Sequence, residues 1–178
     1  NYSIKWYLKL IVQSILVALL SYIFWGKITQ FTFYNHVISL DPVVILIIFI
    51  IWFVGIYNAV NLVDGLDGLA GGFMVVLCTS IAVLYHGIFA QINLLLTLLI
   101  MVFLLFNQRP AKIFMGDAGS LFLGFFVAVL PLLYYDLGYS SSNLDVTPFT
   151  ILVSFLVADT TRVFFTRIVY KKSPMTAD

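Results

Sequence analysis

The sequence predicts an all-α, polytopic integral membrane protein with about six transmembrane helices, and three observations predict it. Hydrophobic residues make up 62% of the chain and charged residues only 10%, with a mean hydropathy of +1.09, well beyond the soluble average. Crossing the hydrocarbon core takes about 20 mostly apolar residues as a helix, and apolar segments of nearly that length recur six times. The linkers between them are brief and polar, without low-complexity tracts, so residues 1–178 read as a single transmembrane domain. The net charge of +1 gives no indication of a nucleic-acid partner, and none is expected.

The first segment runs from Leu8 to Trp25, with Trp6 and Trp25 as aromatic anchors near its ends. Between Gly26 and Pro42, Phe31, Phe33 and Val37 alternate with polar residues, the period of a short hairpin on the membrane surface. The second segment, Val43 to Tyr57, is nearly unbroken. The third, Gly72 to Tyr85, carries the single cysteine, Cys78, read as a small packing residue; one thiol excludes a disulfide within the chain. The fourth, fifth and sixth are Ile92 to Phe106, Leu121 to Tyr135 and Phe149 to Phe164. Near the end of the sixth, Asp159 and Arg162 have the spacing of an ion pair on a helix.

Topology follows from the basic residues, because loops kept in the cytoplasm carry the excess of Lys and Arg. With six spans, Lys5, Lys9, Arg109, Lys112, Arg162, Arg167, Lys171 and Lys172 share one side and only Lys27 lies on the other. The first side is therefore read as cytoplasmic. Asp64, Asp67, Asp117, Asp159 and Asp178 fall on it, while Asp41, Asp136 and Asp145, with His36 and His86, fall on outer loops. Acidic motifs and basic residues thus converge on one surface, as expected of a site for an anionic, metal-bound substrate from the cytosol.

Two polar strings interrupt the apolar pattern. The first is Asn58-Ala59-Val60-Asn61-Leu62-Val63-Asp64-Gly65-Leu66-Asp67-Gly68-Leu69-Ala70. An Asp at the centre of a spanning helix costs about 2.5 to 3.5 kcal/mol even on lenient insertion scales, so two of them invite a functional explanation. If the segment stays helical, Asp64 and Asp67 are neighbours about 5 to 6 Å apart at Cβ, and such carboxylates repel unless a cation or hydrogen-bond donors lie between them. Asn61, one turn before Asp64, adds an amide oxygen for a hard metal and an NH₂ for a ligand. The bland alternative is a helix end where polar residues meet water. The second string is Asn107-Gln108-Arg109-Pro110-Ala111-Lys112-Ile113-Phe114-Met115-Gly116-Asp117-Ala118-Gly119-Ser120. Asp117 and Ser120 read as the start of a helix, with Pro110 and Gly116 breaking the chain before it. A helix N-terminus favours phosphate, Asp117 there suits Mg²⁺, and Lys112 and Arg109 add positive charge. The bland reading is that Asp117 only caps the helix.

Both strings resemble signature motifs of the polyprenyl-phosphate N-acetylhexosamine-1-phosphate transferases. Asn58 to Gly71 resembles the family's Asn-x-x-Asn-hydrophobic-x-Asp-Gly-x-Asp-Gly-Leu-Ala motif, and Asn107 to Gly124 resembles its Asn-x-x-Pro-Ala-x-x-Phe-Met-Gly-Asp-x-Gly-Ser motif. The ending from Asp159-Thr160 through Arg167 to Asp178 is similar to the stretch that leads into the His-x-His-His motif of the N-acetylglucosamine-type branch, and less like the muramoyl-pentapeptide branch. The resemblance implies transfer of a sugar-1-phosphate, N-acetylglucosamine-1-phosphate in that branch, from a UDP-sugar to undecaprenyl phosphate with release of UMP. It implies a multi-pass protein of the bacterial inner membrane with a cytoplasmic active site, a Mg²⁺ cofactor that Mn²⁺ can replace, and a homodimer as a candidate assembly.

By the same resemblance, Asp64, Asp67 and Asp117 are the catalytic carboxylates, and Asp117 and Asn61 hold the metal. Asn58, Asn61, Asn107, Lys112, Phe114 and Gly116 contact substrate, with Phe114 stacked on uracil and Asn107 hydrogen-bonded to the nucleotide. The polymer fed by the product (O-antigen, enterobacterial-type common antigen, teichoic acid or peptidoglycan) is left open. Phospho-N-acetylmuramoyl-pentapeptide transfer is the alternative within the family; an ion-coupled transporter and an assembly scaffold are the alternatives outside it. The family's aspartate pair before its fourth span and its histidine motif do not occur in these residues, so the six segments are expected to match the fourth to ninth of about ten or eleven spans. The purified 178-residue chain is accordingly expected to be inactive, and UMP release from it with UDP-N-acetylglucosamine and undecaprenyl phosphate would overturn that expectation.

Overall fold

The computed structural model describes residues 6–24, 27–139 and 143–170, and within them not the side chains of 6–10, 164 and 168. The side chains of Trp6 and Lys9, and Lys5, Trp25, Lys171, Lys172 and the stretch up to Asp178, therefore lie outside the described residues.

The elements follow in the order α1 (Trp6–Ile23), β1 (Gln30–Phe33), β2 (His36–Ser39), α2 (Pro42–Val63), α3 (Leu69–Leu84), α4 (Gly87–Asn107), α5 (Gly116–Asp136), β3 (Leu144–Asp145) and α6 (Thr147–Val169). A helix thus stands at each of the six apolar segments. Among the described residues α2, α4, α5 and α6 are long and apolar enough to cross a membrane; Ile11–Ile23 of α1 and Leu69–Leu84 of α3 are apolar but shorter. Several helices run beyond the apolar segments into polar sequence, because a backbone in lipid must satisfy its own N–H and C=O groups. α2 carries through Asn58 and Asn61 to Val63, and α5 begins at Gly116, ahead of Leu121. Asp41 starts α2, its Oδ1 accepting the Val43 N–H at 2.8 Å ahead of Pro42 at the first turn.

The fold is helical as expected, with one small addition. A three-stranded sheet of order β2-β1-β3 covers one end of the helices. The expected hairpin is its first part: β1 and β2 pair antiparallel from Gln30↔Ser39 to Phe33↔His36 around Tyr34 and Asn35, both at positive φ, as a two-residue hairpin turn requires. The third strand arrives from the α5–α6 connection and pairs parallel to β1 through Phe31↔Leu144 and Thr32↔Asp145. A two-residue strand has no periodicity to read. Tertiary pairing, with the Val146 N–H to Thr32 O bond at 3.1 Å, creates it.

α2 and α5 form the central antiparallel pair. Trp52 Nε1–H donates to Ala128 O at 3.0 Å, and further along Asn61 Nδ2–H donates to Ser120 Oγ at 2.7 Å. Between these ties lies Gly124: a Cβ there would sit 2.8 Å from Tyr57 O and 2.9 Å from Tyr57 Cα. Small residues let helix backbones approach closely in membranes, where apolar surface alone does not drive association. α1 joins α2 through Asn58 Nδ2–H to Gln13 Oε1 at 2.9 Å. α6 runs alongside α2, and α3 packs on α4, with Gly71 against Leu104. Alternation of the helices puts the 64–68 and 108–115 connections at one end, termed here the motif end, and the sheet at the other.

A methyl at Gly124 would collide with backbone rather than with a side chain that can swing away. Gly124→Ala is expected to destabilise the protein by about 1–3 kcal/mol, read as a lowered Tm in detergent. Gly55→Ala on the same helix pair's α2, where nothing lies within 4 Å of the added methyl, should leave Tm unchanged or slightly raised.

Candidate functional site

The site begins where α2 stops. The helix ends at Val63, residues 64–68 form a turn, and Gly68 takes φ +75 before α3. The expectation that Asp64 and Asp67 are neighbours on a continuous helix is therefore corrected: the Gly65 to Gly68 turn separates them. Asp64 is the C-cap residue of α2, and its N–H remains bonded to Val60 O. Asp67 is turned toward the other connection, its Oδ2 accepting the Ala111 N–H at 3.2 Å.

The second connection is brought against the first by Asn107, at the last turn of α4. Its Oδ1 accepts the Gly68 N–H at 3.0 Å and its Nδ2–H donates to Ile113 O at 2.9 Å, with 4% of the residue exposed. Lys112 N–H and Ile113 N–H both bond Phe106 O, closing the loop back on α4. Asn107, expected to contact the nucleotide, is buried with its oxygen and NH₂ on backbone and clamps the two loops. Asn58, also expected to contact substrate, is likewise tied to the protein. Its NH₂ is committed to Gln13 and to Val54 O at 2.7 Å, which makes it a tie between α1 and α2.

α5 starts at Gly116 with φ +66, Met115 is its N-cap residue, and Asp117 lies in its first turn. Asp117 is thus not the cap that the bland reading made it. Because α2 and α5 are antiparallel, the first turn of α5 faces the last turn of α2. Asn61 Nδ2–H reaches Ser120 Oγ at 2.7 Å and Asp117 Oδ1 at 3.4 Å. Ser120, fully buried, passes its own hydroxyl hydrogen to Gly116 O at 3.1 Å. Asp64 also belongs to this group: its carboxyl is held above the ordinary 3.8, first by burial and then by the negative charge of Asp117. Around the group, Lys112 and Gly116 are exposed, and Phe114 presents its ring with 76% of the residue exposed.

Two carboxyl groups, a primary amide and a helix N-terminus therefore converge, which is a hard-oxygen donor set beside a phosphate-favouring dipole. Among the described residues no group of three or more His, Cys, Asp or Glu is placed to hold a metal ion. Zinc-type sites need such a group, whereas Mg²⁺ takes one or two carboxylates and completes its shell with water and substrate phosphate. Asn61 now points its NH₂ at Asp117 and Ser120; rotating the amide by half a turn would put its oxygen there, able to face a cation and to accept the Ser120 hydroxyl hydrogen. Ser120 and Gln13 escaped sequence reading as partners. The signal for Ser120 was its position one turn from Asp117, and for Gln13 its being a lone amide in an apolar helix.

The model of the family described as Glycosyl transferase family 4 matches residues 1–135. A probable undecaprenyl-phosphate N-acetylglucosaminyl 1-phosphate transferase of Bacillus subtilis (strain 168) is 42% identical over 61% of this chain and 30% of its own length. Two phospho-N-acetylmuramoyl-pentapeptide-transferases match shorter stretches. That of Lactococcus lactis subsp. cremoris (strain MG1363) is 58% identical over 18% of this chain and 10% of its own. That of Streptococcus equi subsp. zooepidemicus (strain MGCS10565) is 48% identical over 28% and 18%. The chain thus spans less than a third of the length of these curated relatives.

The raised Asp64 gives a signed pH dependence. A carboxyl that binds its proton more tightly when folded lets stability fall as pH rises from the ordinary value of 3.8 through the folded value, after which the repulsion from Asp117 is fully expressed. Asp64→Asn should therefore raise Tm at pH 7, with the difference shrinking toward about pH 4. Added Mg²⁺ should raise the Tm of the natural protein at pH 7 more than that of the variant. A Tm difference independent of both pH and Mg²⁺ would contradict the pairing of Asp64 with Asp117.

Proposed function

Because this chain belongs to glycosyl transferase family 4, we propose that it carries the nucleotide-sugar site of an enzyme that transfers N-acetylglucosamine-1-phosphate from a UDP-sugar to undecaprenyl phosphate. The similarity to the N-acetylglucosaminyl relative extends over 61% of the chain, against 18% and 28% for the two muramoyl-pentapeptide relatives, which favours the first donor over the second. A bacterial plasma membrane fits the relatives, and a cytoplasmic site fits Arg109, Lys112, Arg162 and Arg167 on the helices and loop of the motif end, with Lys27 at the sheet end.

The observation that carries the reading is the convergence of Asn61, Asp64, Asp117 and Ser120 across the α2–α5 pair. In the transfer, an oxygen of the lipid phosphate attacks the phosphorus attached to the sugar. The bond from that phosphorus to the bridging oxygen breaks, UMP leaves with the electron pair, and a sugar-diphosphate-lipid remains. Both reactants carry anionic phosphate oxygens, so the residues must bring like charges together. Asp117 and Asn61 would hold Mg²⁺, which when bound neutralises charge on the diphosphate. The N-terminus of α5 and the exposed Lys112 attract the same diphosphate, and the exposed ring of Phe114 offers a stacking face to uracil. Asp64 sits beside Asp117, and Asp67 keeps the second loop in place through Ala111. The acceptor phosphate arrives from the lipid while the nucleotide sugar arrives from water, so a site at the membrane rim serves both.

In the natural gene product, Asp117→Ala is expected to lower UMP release by at least about 10²-fold, the scale for removing a group that stabilises developing charge. Tm at pH 7 should not fall, since the repulsion on Asp64 is removed with the charge. Chelation with EDTA should abolish release and Mg²⁺ restore it. Unaltered transfer by Asp117→Ala would exclude the metal role.

A further inference from the structure

Beneath the sheet lies a cavity of about 250 Å³ bounded by Phe31 of β1, Leu144 of β3, Phe49 and Trp52 of α2, Ala128 of α5 and Thr150 of α6. Its lining is apolar, aliphatic and aromatic side chains together, and the one hydroxyl, Thr150 Oγ1, is spent on Thr147 O at 2.8 Å. A second, larger cleft of about 600 Å³ runs between α2 and α6, from Ile51 to Ala59 on one wall and from Thr150 to Thr161 on the other. Trp52 and Thr150 border both spaces. Trp52 is held in that border by its indole bond to Ala128 O.

We propose that the chamber beneath the sheet receives the distal isoprenoid units of the polyprenyl phosphate acceptor, so that the protein reads acceptor chain length at the end of the bundle remote from the chemistry. This rests on the acceptor reading above. An acceptor phosphate at Asp64 and Asp117 has its first prenyl units at the motif end of α2. Trp52 precedes Asp64 by 12 positions, about 18 Å along a helix, already more than half of the roughly 30 Å hydrocarbon core. A phospholipid acyl chain anchored at the same rim ends near the midplane, whereas an undecaprenyl chain is far longer and must continue into the other half of the bilayer. The cleft leads it along α2 to the Trp52–Thr150 border. Beyond that border, the apolar chamber removes its last units from contact with lipid beneath the sheet residues Phe31, Phe33, Ile38 and Leu144.

The test is steady-state kinetics of the natural gene product with undecaprenyl phosphate and with the short-chain farnesyl phosphate as acceptors. Ile48→Trp fills the chamber and Thr150→Phe closes its border; both residues line the chamber and neither contacts the site at the motif end. The expected result is a rise of at least about tenfold in KM for undecaprenyl phosphate, the discrimination that one or two methylene groups in an apolar pocket provide. KM for farnesyl phosphate and for the UDP-sugar, and the Tm, should be unchanged. Equal changes for both acceptors, or none for either, would overturn the proposal and leave the chamber to ordinary phospholipid. Absence of transfer to both acceptors by the unaltered protein would overturn the acceptor reading and this inference with it.

Discussion

The close approach of α2 to α5 at Gly124 is the contact on which the rest of the arrangement depends. Lipid is as apolar as the helix faces, so burial of Leu or Ile does not select a partner or a register; close backbone packing and a few polar ties do. Gly124 allows Tyr57 backbone to within what would be clash distance of any side chain. The Trp52 and Asn61 hydrogen bonds on either side then hold the register. Sliding α5 by one turn would move Ser120 away from Asn61, and Asp117 away from both Asn61 and Asp64. The chemistry at the rim thus depends on a glycine one turn deeper than Ser120.

A second layer of constraint acts on the loops. Carboxylates on free loops would drift apart under mutual repulsion, yet here Asn107 holds Gly68 and Ile113 at once and Asp67 holds Ala111. Two segments far apart in the chain become one surface through three backbone-directed side-chain atoms. The site then retains an unfavourable feature, the charge of Asp117 beside a partly buried Asp64. A bound cation would reverse the sign of that local electrostatics.

Much of this was legible in the chain. Six apolar segments became six helices, the alternating Phe31, Phe33 and Val37 became a hairpin, and Asp159 lies 2.8 Å from Arg162 as its helical spacing requires. Less legible were the roles of amides. Asn58 and Asn107 carry the same side chain as Asn61 and occur in the same motifs, yet they serve as ties within the protein. An amide donates and accepts equally well to backbone or to ligand, and only its surroundings choose.

By itself the sequence determined that the chain lives in a membrane, where along it the six helices lie, and which residue types gather at the two polar strings. Those follow from local quantities: transfer free energy, helix length against bilayer thickness, and the turn preferences of Gly, Pro and Asp. Tertiary structure alone decided that α2 ends before Asp64 and Asp67 can share a helix face, and that Asn107 turns inward. It also decided that residues 144–145 become a strand, and that a roofed apolar chamber adjoins the α2–α6 cleft. Each of these is set by a partner distant in sequence, and an interaction between distant segments leaves no period or composition within either one.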